Sequence, residues 1–251
     1  FGDVVVVNWD LEGDSFIVAL DKNTGRELWR QPREEVTSWA TPVVVEHGGK
    51  PQVVVNATER IRGYDLATGE LLWQTGGMTT NTIPSPVHRD GVVYAMSGFR
   101  GNALKAIRLA KARGEVPAEG IAWTYDRDTP YVPSPLLYGD RLYFLKHNQG
   151  ILTALDAATG RLVFGPVRLP VSGVYASPVG AAGRVYVVGR DGTTVVLDHR
   201  AEELSILAEN RLDDGFDASP AVVGETLYLR GRKHLYALRQ AAPNPAAQKS
   251  P

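Results

Sequence analysis

The sequence predicts an all-β chain, a β-propeller made of four-stranded antiparallel blades, and three observations predict it. An eleven-residue pattern, Ala-x-Asp-x-x-x-Gly-x-x-x-Trp at Ala19–Trp29, returns at Gly63–Trp73 with Gly in the first slot and at Ala154–Phe164 with Phe in the last. A decayed fourth copy begins Val196-Leu197-Asp198. A Ser/Thr-Pro pair opens an apolar run at Thr41-Pro42, Ser85-Pro86, Ser134-Pro135, Ser177-Pro178 and Ser219-Pro220, with the prolines 44, 49, 43 and 42 residues apart. Between these markers, runs such as VVVVNW, DRLYFL, GRVYVV and ETLYLR are rich in β-branched and aromatic residues. Two independent markers in step define one unit built several times, and four short strands fill its length.

The elements follow in order. The first unit supplies strands at Val4–Asn8, Ser15–Asp21 and Glu27–Arg30 but lacks a Ser/Thr-Pro strand before them. The second has all four, at Thr41–Glu46, Gln52–Asn56, Ile61–Asp65 and Leu71–Gln74. The residue before each proline is held extended, and the proline lacks an amide donor, which suits the first position of a strand. In Asp21-Lys-Asn-Thr-Gly25, Asp65-Leu-Ala-Thr-Gly69 and Asp156-Ala-Ala-Thr-Gly160 the glycine suits the positive φ of a bulged hairpin, and the Asp and Thr oxygens suit bonds to turn amides. The longest interval holds a basic, Gly/Pro-bearing insertion, Lys105–Gly120, and Asn102–Lys111 is the one segment with helical periodicity. The last unit supplies Ser219–Val223, Thr226–Arg230 and Leu235–Arg239 without an outermost strand.

About six units are therefore expected over a single domain at 1–240, the first and last incomplete. This organisation suits the C-terminal part of a propeller of seven or eight blades, with the missing blades upstream. The tail at 241–251 lacks periodicity and reads as disordered.

Composition narrows the function classes. With 27 basic and 28 acidic residues and no charge blocks, no basic stripe for nucleic acid is visible. The absence of cysteine excludes disulfides, thiolate metal sites and cysteine nucleophiles. No apolar run approaches the roughly 18 residues of a membrane span. Any signal peptide or lipid anchor would lie upstream of Phe1.

Few residues fall in patterns that point to chemistry. His47, His88, His147, His199 and His234 fall in separate units without ligand spacing and read as surface or turn residues. Asp10-Leu-Glu12-Gly-Asp14 has the composition of a calcium loop but lacks the twelve-residue frame with its terminal Glu, and it reads as a solvated turn. Asp213, Asp214 and Asp217 read likewise. The recurring Asp21, Asp65, Asp156 and Asp198 read as turn residues rather than catalytic acids. No phosphate loop, nucleophile elbow or zinc-binding helix motif is present. No catalytic residue and no metal ligand is assigned.

The pattern ALDKNTGRELW, with its echoes YDLATGELLW and ALDAATGRLVF, resembles the tryptophan-docking repeat of quinoprotein-type, PQQ-like propellers over residues 3–240. That superfamily includes pyrroloquinoline quinone (PQQ) dehydrogenases and non-catalytic BamB-like propellers of outer-membrane assembly. The resemblance implies that Trp29, Trp73, Trp123 and Phe164 wedge neighbouring blades apart, with Ile206 in the same slot of the decayed copy. It also implies a test. Such dehydrogenases carry a vicinal cysteine disulfide, a calcium with acidic and amide ligands and a catalytic Asp. This chain has no cysteine, and no segment matches those ligand motifs. The sequence thus supports neither PQQ nor calcium.

Ligands of propellers favour the axial mouth, built from loops entering the innermost strands and loops linking the middle two. Trp39, Asn81, Tyr131, Tyr175 and Asp217 precede the inner strands, and His147, Asn148, Arg190, Asp191, Arg232 and His234 occupy middle-loop positions. They vary from unit to unit while the framework repeats. Either they form a surface for a protein partner or small ligand, or they only plug the axial channel. The reading is a non-catalytic binding or scaffold propeller, periplasmic or otherwise extracytoplasmic. The alternatives are a quinoprotein-like oxidoreductase using the same mouth and a propeller domain of a larger carbohydrate- or surface-associated protein.

Overall fold

The computed structural model describes residues 1–239, so the predicted tail at 241–251 lies outside the described residues. Six sheets, antiparallel in all but one strand pair, follow one another along the described residues. The first contains Val4–Trp9, Ser15–Asp21 and Glu27–Arg33. The second contains Val43–His47, Lys50–Asn56, Arg60–Asp65 and Leu71–Gly76. The third contains Val87–Arg89, Val92–Ser97, Ala103–Arg108 and Ile121–Tyr125. The fourth and fifth also have four strands each, spanning Leu136–Tyr138 to Leu162–Arg168 and Val179–Ala181 to Ile206–Arg211. The sixth has three, Ala221–Val223, Thr226–Arg230 and Leu235–Leu238. These are propeller blades, with each Ser/Thr-Pro pair immediately before an innermost strand. No described helix is long and apolar enough to cross a membrane, which says nothing of a β-barrel.

The hairpin turns show why their residues recur. Asp21 Oδ1 accepts from the amides of Asn23 and Thr24 and from Thr24 Oγ1, at 2.9–3.0 Å. Asp65 repeats the arrangement with Ala67 and Thr68, and Asp156 with Thr159. Gly25, Gly69 and Gly160 sit at φ +72°, +75° and +72°, a region that strains any side chain.

The Ser/Thr-Pro residues are joined across blades. The amide of Thr41 donates to Ser85 Oγ at 2.9 Å, Ser85 to Ser134 at 3.0 Å, Ser134 to Ser177 at 2.9 Å and Ser177 to Ser219 at 2.9 Å. Proline removes the next amide, so one hydroxyl per blade joins the inner strands into a ladder around the axis. Ser134→Ala is expected to lower unfolding free energy by about 1 kcal/mol, with Ser134→Thr restoring it, as read from urea midpoints. Equal loss in both variants would contradict the ladder.

The indoles fill the spaces between blades. Trp29 Nε1 donates to Leu66 O of the second sheet at 2.9 Å, and its ring lies over Gly69, where a Cβ would come within 2.5 Å of it. Trp123 does the same to Ala157 O, at 3.1 Å, and to Gly160. Trp73 is fully buried between the second and third sheets with Val93, Ala95 and Ile107. Its Nε1 bonds Gln52 Oε1 of its own sheet at 2.9 Å, and its ring covers Gly63 directly across the strand pair. That contact explains the glycine in the alanine slot. Phe164 packs with Val185 and Val187 of the fifth sheet.

Four expectations are corrected. Asn102–Lys111 is not a helix. Ala103–Arg108 is a central strand, with Leu104, Ala106 and Ile107 buried and with pairing on both edges, and only Leu109–Lys111 forms a 3-10 turn. The insertion continues into Gly114–Glu115, which pairs in parallel with Trp73 and Gln74 and adds a fifth strand to the second sheet. Ile206 is not in the indole slot, because the turn after Asp198 is two residues longer, closing on Ser205 O where Asp21 closes on Arg26 O. Ala208 stands opposite Val196 instead.

The other two corrections concern carboxylates. Asp10 is not solvated, since Arg33 holds it in a bidentate pair at 2.7 and 3.0 Å with both side chains fully buried. Asp214 is buried as well and is described with the mouth below.

Candidate functional site: the axial mouth

The loops entering the inner strands and the loops linking the middle strands meet on one side of the molecule. Backbone bonds fix them to each other: Trp39 N to Thr82 O at 2.9 Å, Tyr131 N to His147 O at 3.2 Å, Arg190 N to Gly173 O at 2.8 Å and Arg232 N to Gly215 O at 3.1 Å. Loop tips pinned at their backbones hold their side chains on a rigid platform.

One cluster gathers predicted residues from two blades and the loop between them. The Arg190 guanidinium lies 4.3 Å from the centre of the Tyr175 ring, a cation–π contact. Its Nε is 2.5 Å from Asp217 Oδ1, and Arg232 reaches Asp217 Oδ2 from the other side at 3.1 Å. The Arg190 approach is an ion pair without hydrogen-bond alignment, so Asp217 Oδ1, a buried atom, keeps no directed donor. Asp217 and Arg190 are each 39% exposed, which leaves the clamp facing water. The cluster thus sets one carboxylate between two guanidinium groups, one of them lying over a tyrosine ring.

Asp214 supports that cluster from beneath. Its carboxylate accepts from the amides of Gly215, Arg232, Lys233 and His234 at 2.7–3.2 Å and from Tyr236 Oη at 3.2 Å. Burial alone would raise its pKa from 3.8, but the Gly215, Lys233 and His234 amides and the Tyr236 hydroxyl hold it down at about 2. A depressed carboxylate contributes stability that is complete above pH 3.8 and lost as pH falls towards about 2. Asp214→Asn is therefore expected to flatten the acid limb of a stability–pH curve in that window. An unchanged limb would show that this group does not set it.

The remaining predicted residues stand apart. Tyr131 stacks on Phe99 with centroids 4.6 Å apart, and Arg100 lies over the far ring at 5.3 Å. His147 joins Tyr131 through backbone only. Asp191 Oδ1 accepts from Thr193 N at 3.2 Å, a turn contact. Asn81 adopts a left-handed conformation, φ +54°, and no described side-chain bond ties it to the cluster. Trp39 is 53% exposed and lines a different cleft, beside the first sheet. Phe99 and Asp214 had no sequence assignment at the mouth. The only signal for Phe99 was an aromatic at the tip of Gly98–Gly101, where a turn needs none.

Fold and mouth together define a β-propeller in which two hairpin turns receive an indole from the preceding blade. The family model of the outer membrane protein assembly factor BamB matches residues 13–242, and the chain belongs to this BamB-like family of PQQ-like repeat propellers. Solved structures share the fold at low identity. BamB from Moraxella catarrhalis is 16% identical at TM-score 0.53, over 94% of this chain and 81% of that one. Quinohemoprotein alcohol dehydrogenase from Comamonas testosteroni is 14% identical at 0.55, over 86% of this chain but only 43% of the enzyme. The computationally designed Ika8 protein is 13% identical at 0.52, covering 95% and 81%. No curated protein sequence is significantly similar.

Proposed function

We propose that the chain is a non-catalytic, extracytoplasmic binding module that presents its mouth to a protein partner. The observation that carries this reading is the Tyr175–Arg190–Asp217–Arg232 cluster, which is exposed and held at fixed backbone positions. Tyrosine and arginine are the residue types that most often dominate protein interfaces. Membership of the outer-membrane assembly factor family favours a protein partner at an envelope membrane.

The dehydrogenase-like neighbour raises the alternative of a quinone site at the mouth. The carboxylates there suit it poorly as donors to an accompanying calcium. Asp217 is taken by two arginines, Asp214 by four amides and a phenol, and Asp191 by its own turn. Among the described residues no group of three or more potential metal ligands occurs.

A photoreactive benzoylphenylalanine at Tyr175, irradiated with envelope extract, is expected to yield one dominant protein adduct. Arg190→Glu with Arg232→Glu is expected to abolish it. Dye reduction after addition of PQQ and calcium, without any adduct, would overturn the reading in favour of an oxidoreductase.

A further inference from the structure

The junction between the fourth and fifth sheets is tied differently from its neighbours. At two other junctions an indole N–H reaches the carbonyl of the residue after the turn aspartate, Trp29 to Leu66 O and Trp123 to Ala157 O. Tyr94 Oη gives Ala157 O a second donor at 2.9 Å. In the fourth sheet the wedge is Phe164, which has no N–H to offer. The residue after the turn aspartate of the fifth sheet is His199, and the donor facing its carbonyl is Tyr143, in the same register slot as Tyr94. Tyr143 Oη lies 3.3 Å from His199 O but 2.9 Å from His199 Nδ1. One hydroxyl proton faces two acceptors, and the shorter contact goes to the ring.

The imidazole is built into this junction. It meets the Tyr138 and Tyr143 rings edge-on, with centroids 4.6 and 6.0 Å away, and it covers Gly139, where any Cβ would overlap it. His199 N donates to Gly183 O at 3.1 Å, and Gly183 N donates to Tyr138 Oη at 2.8 Å. Arg141 donates to Ala201 O and, at 3.5 Å, to Arg200 O. Three side chains of the fourth sheet thus hold the turn of the fifth. The charged groups around the ring are Asp140 and Arg141 from the fourth sheet and Asp198 and Arg200 from its own turn. Burial, together with Arg141 and Arg200, holds the imidazole below its ordinary value of 6.5, and Asp140 and Asp198 oppose that shift.

We propose that His199 is a proton-sensitive latch, which fastens the turn at 198–205 to the fourth sheet when neutral and releases it when charged. In the neutral ring Nδ1 accepts the Tyr143 hydroxyl, so the ring proton sits on Nε2. Protonation removes that acceptor and adds a cation beside Arg141 and Arg200. A ring held below 6.5 contributes stability that is complete above that value and lost progressively as pH falls beneath it. Release is local, because Phe164 still packs with Val185 and Val187 across the junction and none of these titrates. The latch joins turns at the end of the sheets opposite the mouth, and the inference does not rest on the mouth.

The test follows amide exchange and ring titration of the full chain by NMR. Protection of the Asp198 and His199 amides, corrected for the intrinsic pH dependence of exchange, is expected to fall about threefold or more from about pH 8 to about pH 5. The Asp156 and Gly160 amides, in the corresponding turn of the fourth sheet, are expected to keep theirs. The His199 Hε1 resonance is expected to titrate at lower pH than in the urea-unfolded chain. His199→Asn, whose side-chain oxygen replaces Nδ1 as an acceptor that does not titrate, is expected to leave residues 198 and 199 equally protected at both pH values. Constant protection in the unsubstituted chain, or an equal fall at Asp156 and Gly160, would overturn the proposal. So would the same fall in His199→Asn, or a ring that titrates at or above its unfolded value.

Discussion

Trp73→Ala is expected to destabilise the chain by about 3–5 kcal/mol, the cost of emptying a fully buried aromatic site. The indole is inaccessible to solvent and touches three kinds of neighbour: its own sheet through Gly63, the third sheet through Val93 and Ile107, and the insertion through Val116. The substitution also leaves Gln52 Oε1 without its indole donor, and the parallel strand Gly114–Glu115 flanks the hole. Gly63→Val should lose stability for the converse reason, since any Cβ at that position overlaps the indole ring. Combining Gly63→Val with Trp73→Ala should then cost less than the sum of the two. Additive losses in urea titrations would show that the two residues do not share the site.

Arg33→Ala is the second large effect, expected at about 3–5 kcal/mol because it strands a buried carboxylate. Asp10 also receives Ser38 Oγ at 2.6 Å, and Arg33 donates to Tyr64 Oη at 2.6 Å, so the pair ties the first sheet to the second at a point where water is excluded. Replacing both partners by apolar residues, Asp10→Leu with Arg33→Met, should cost much less than either single change. The neighbouring pair Glu35–Arg62 is buried beside it, and burial pushes the Glu35 carboxyl above its ordinary value while Arg62 and Arg33 oppose the rise. Similar losses in the single and double variants at Asp10 and Arg33 would mean that packing, not charge, controls this junction.

The periodic features were legible because the physics behind them is local. A turn that needs Asp, Thr and a left-handed Gly within five residues writes itself into every copy, and so does a Ser/Thr-Pro start. The strand Ala103–Arg108 was not legible as such. Its sequence ALKAIR is short and apolar with helix-compatible spacing, and pairing on both edges decided its conformation. Asp10 was misread for a related reason, since its partner Arg33 lies 23 residues away and no short-range pattern announces it.

The mouth falls between these cases. Loop positions can be assigned from the repeat, but the cluster at Asp217 unites residues 175, 190, 217 and 232 through contacts set by the angle between blades. Trp39 shows the limit of that assignment. It precedes an inner strand like Tyr175 and Asp217, yet it lines the cleft beside Val4–Trp9, away from the Asp217 cluster.

The arrangement of successive sheets is tested most directly by nuclear Overhauser contacts between residues about forty positions apart. Cross-peaks from the Trp29 ring protons to the Gly69 Hα, and from Trp123 to the Gly160 Hα, are expected as strong long-range signals, since each ring lies against its glycine. If both indoles show only solvent and intra-sheet contacts, the blades are not stacked as described, and the mouth loses its geometry.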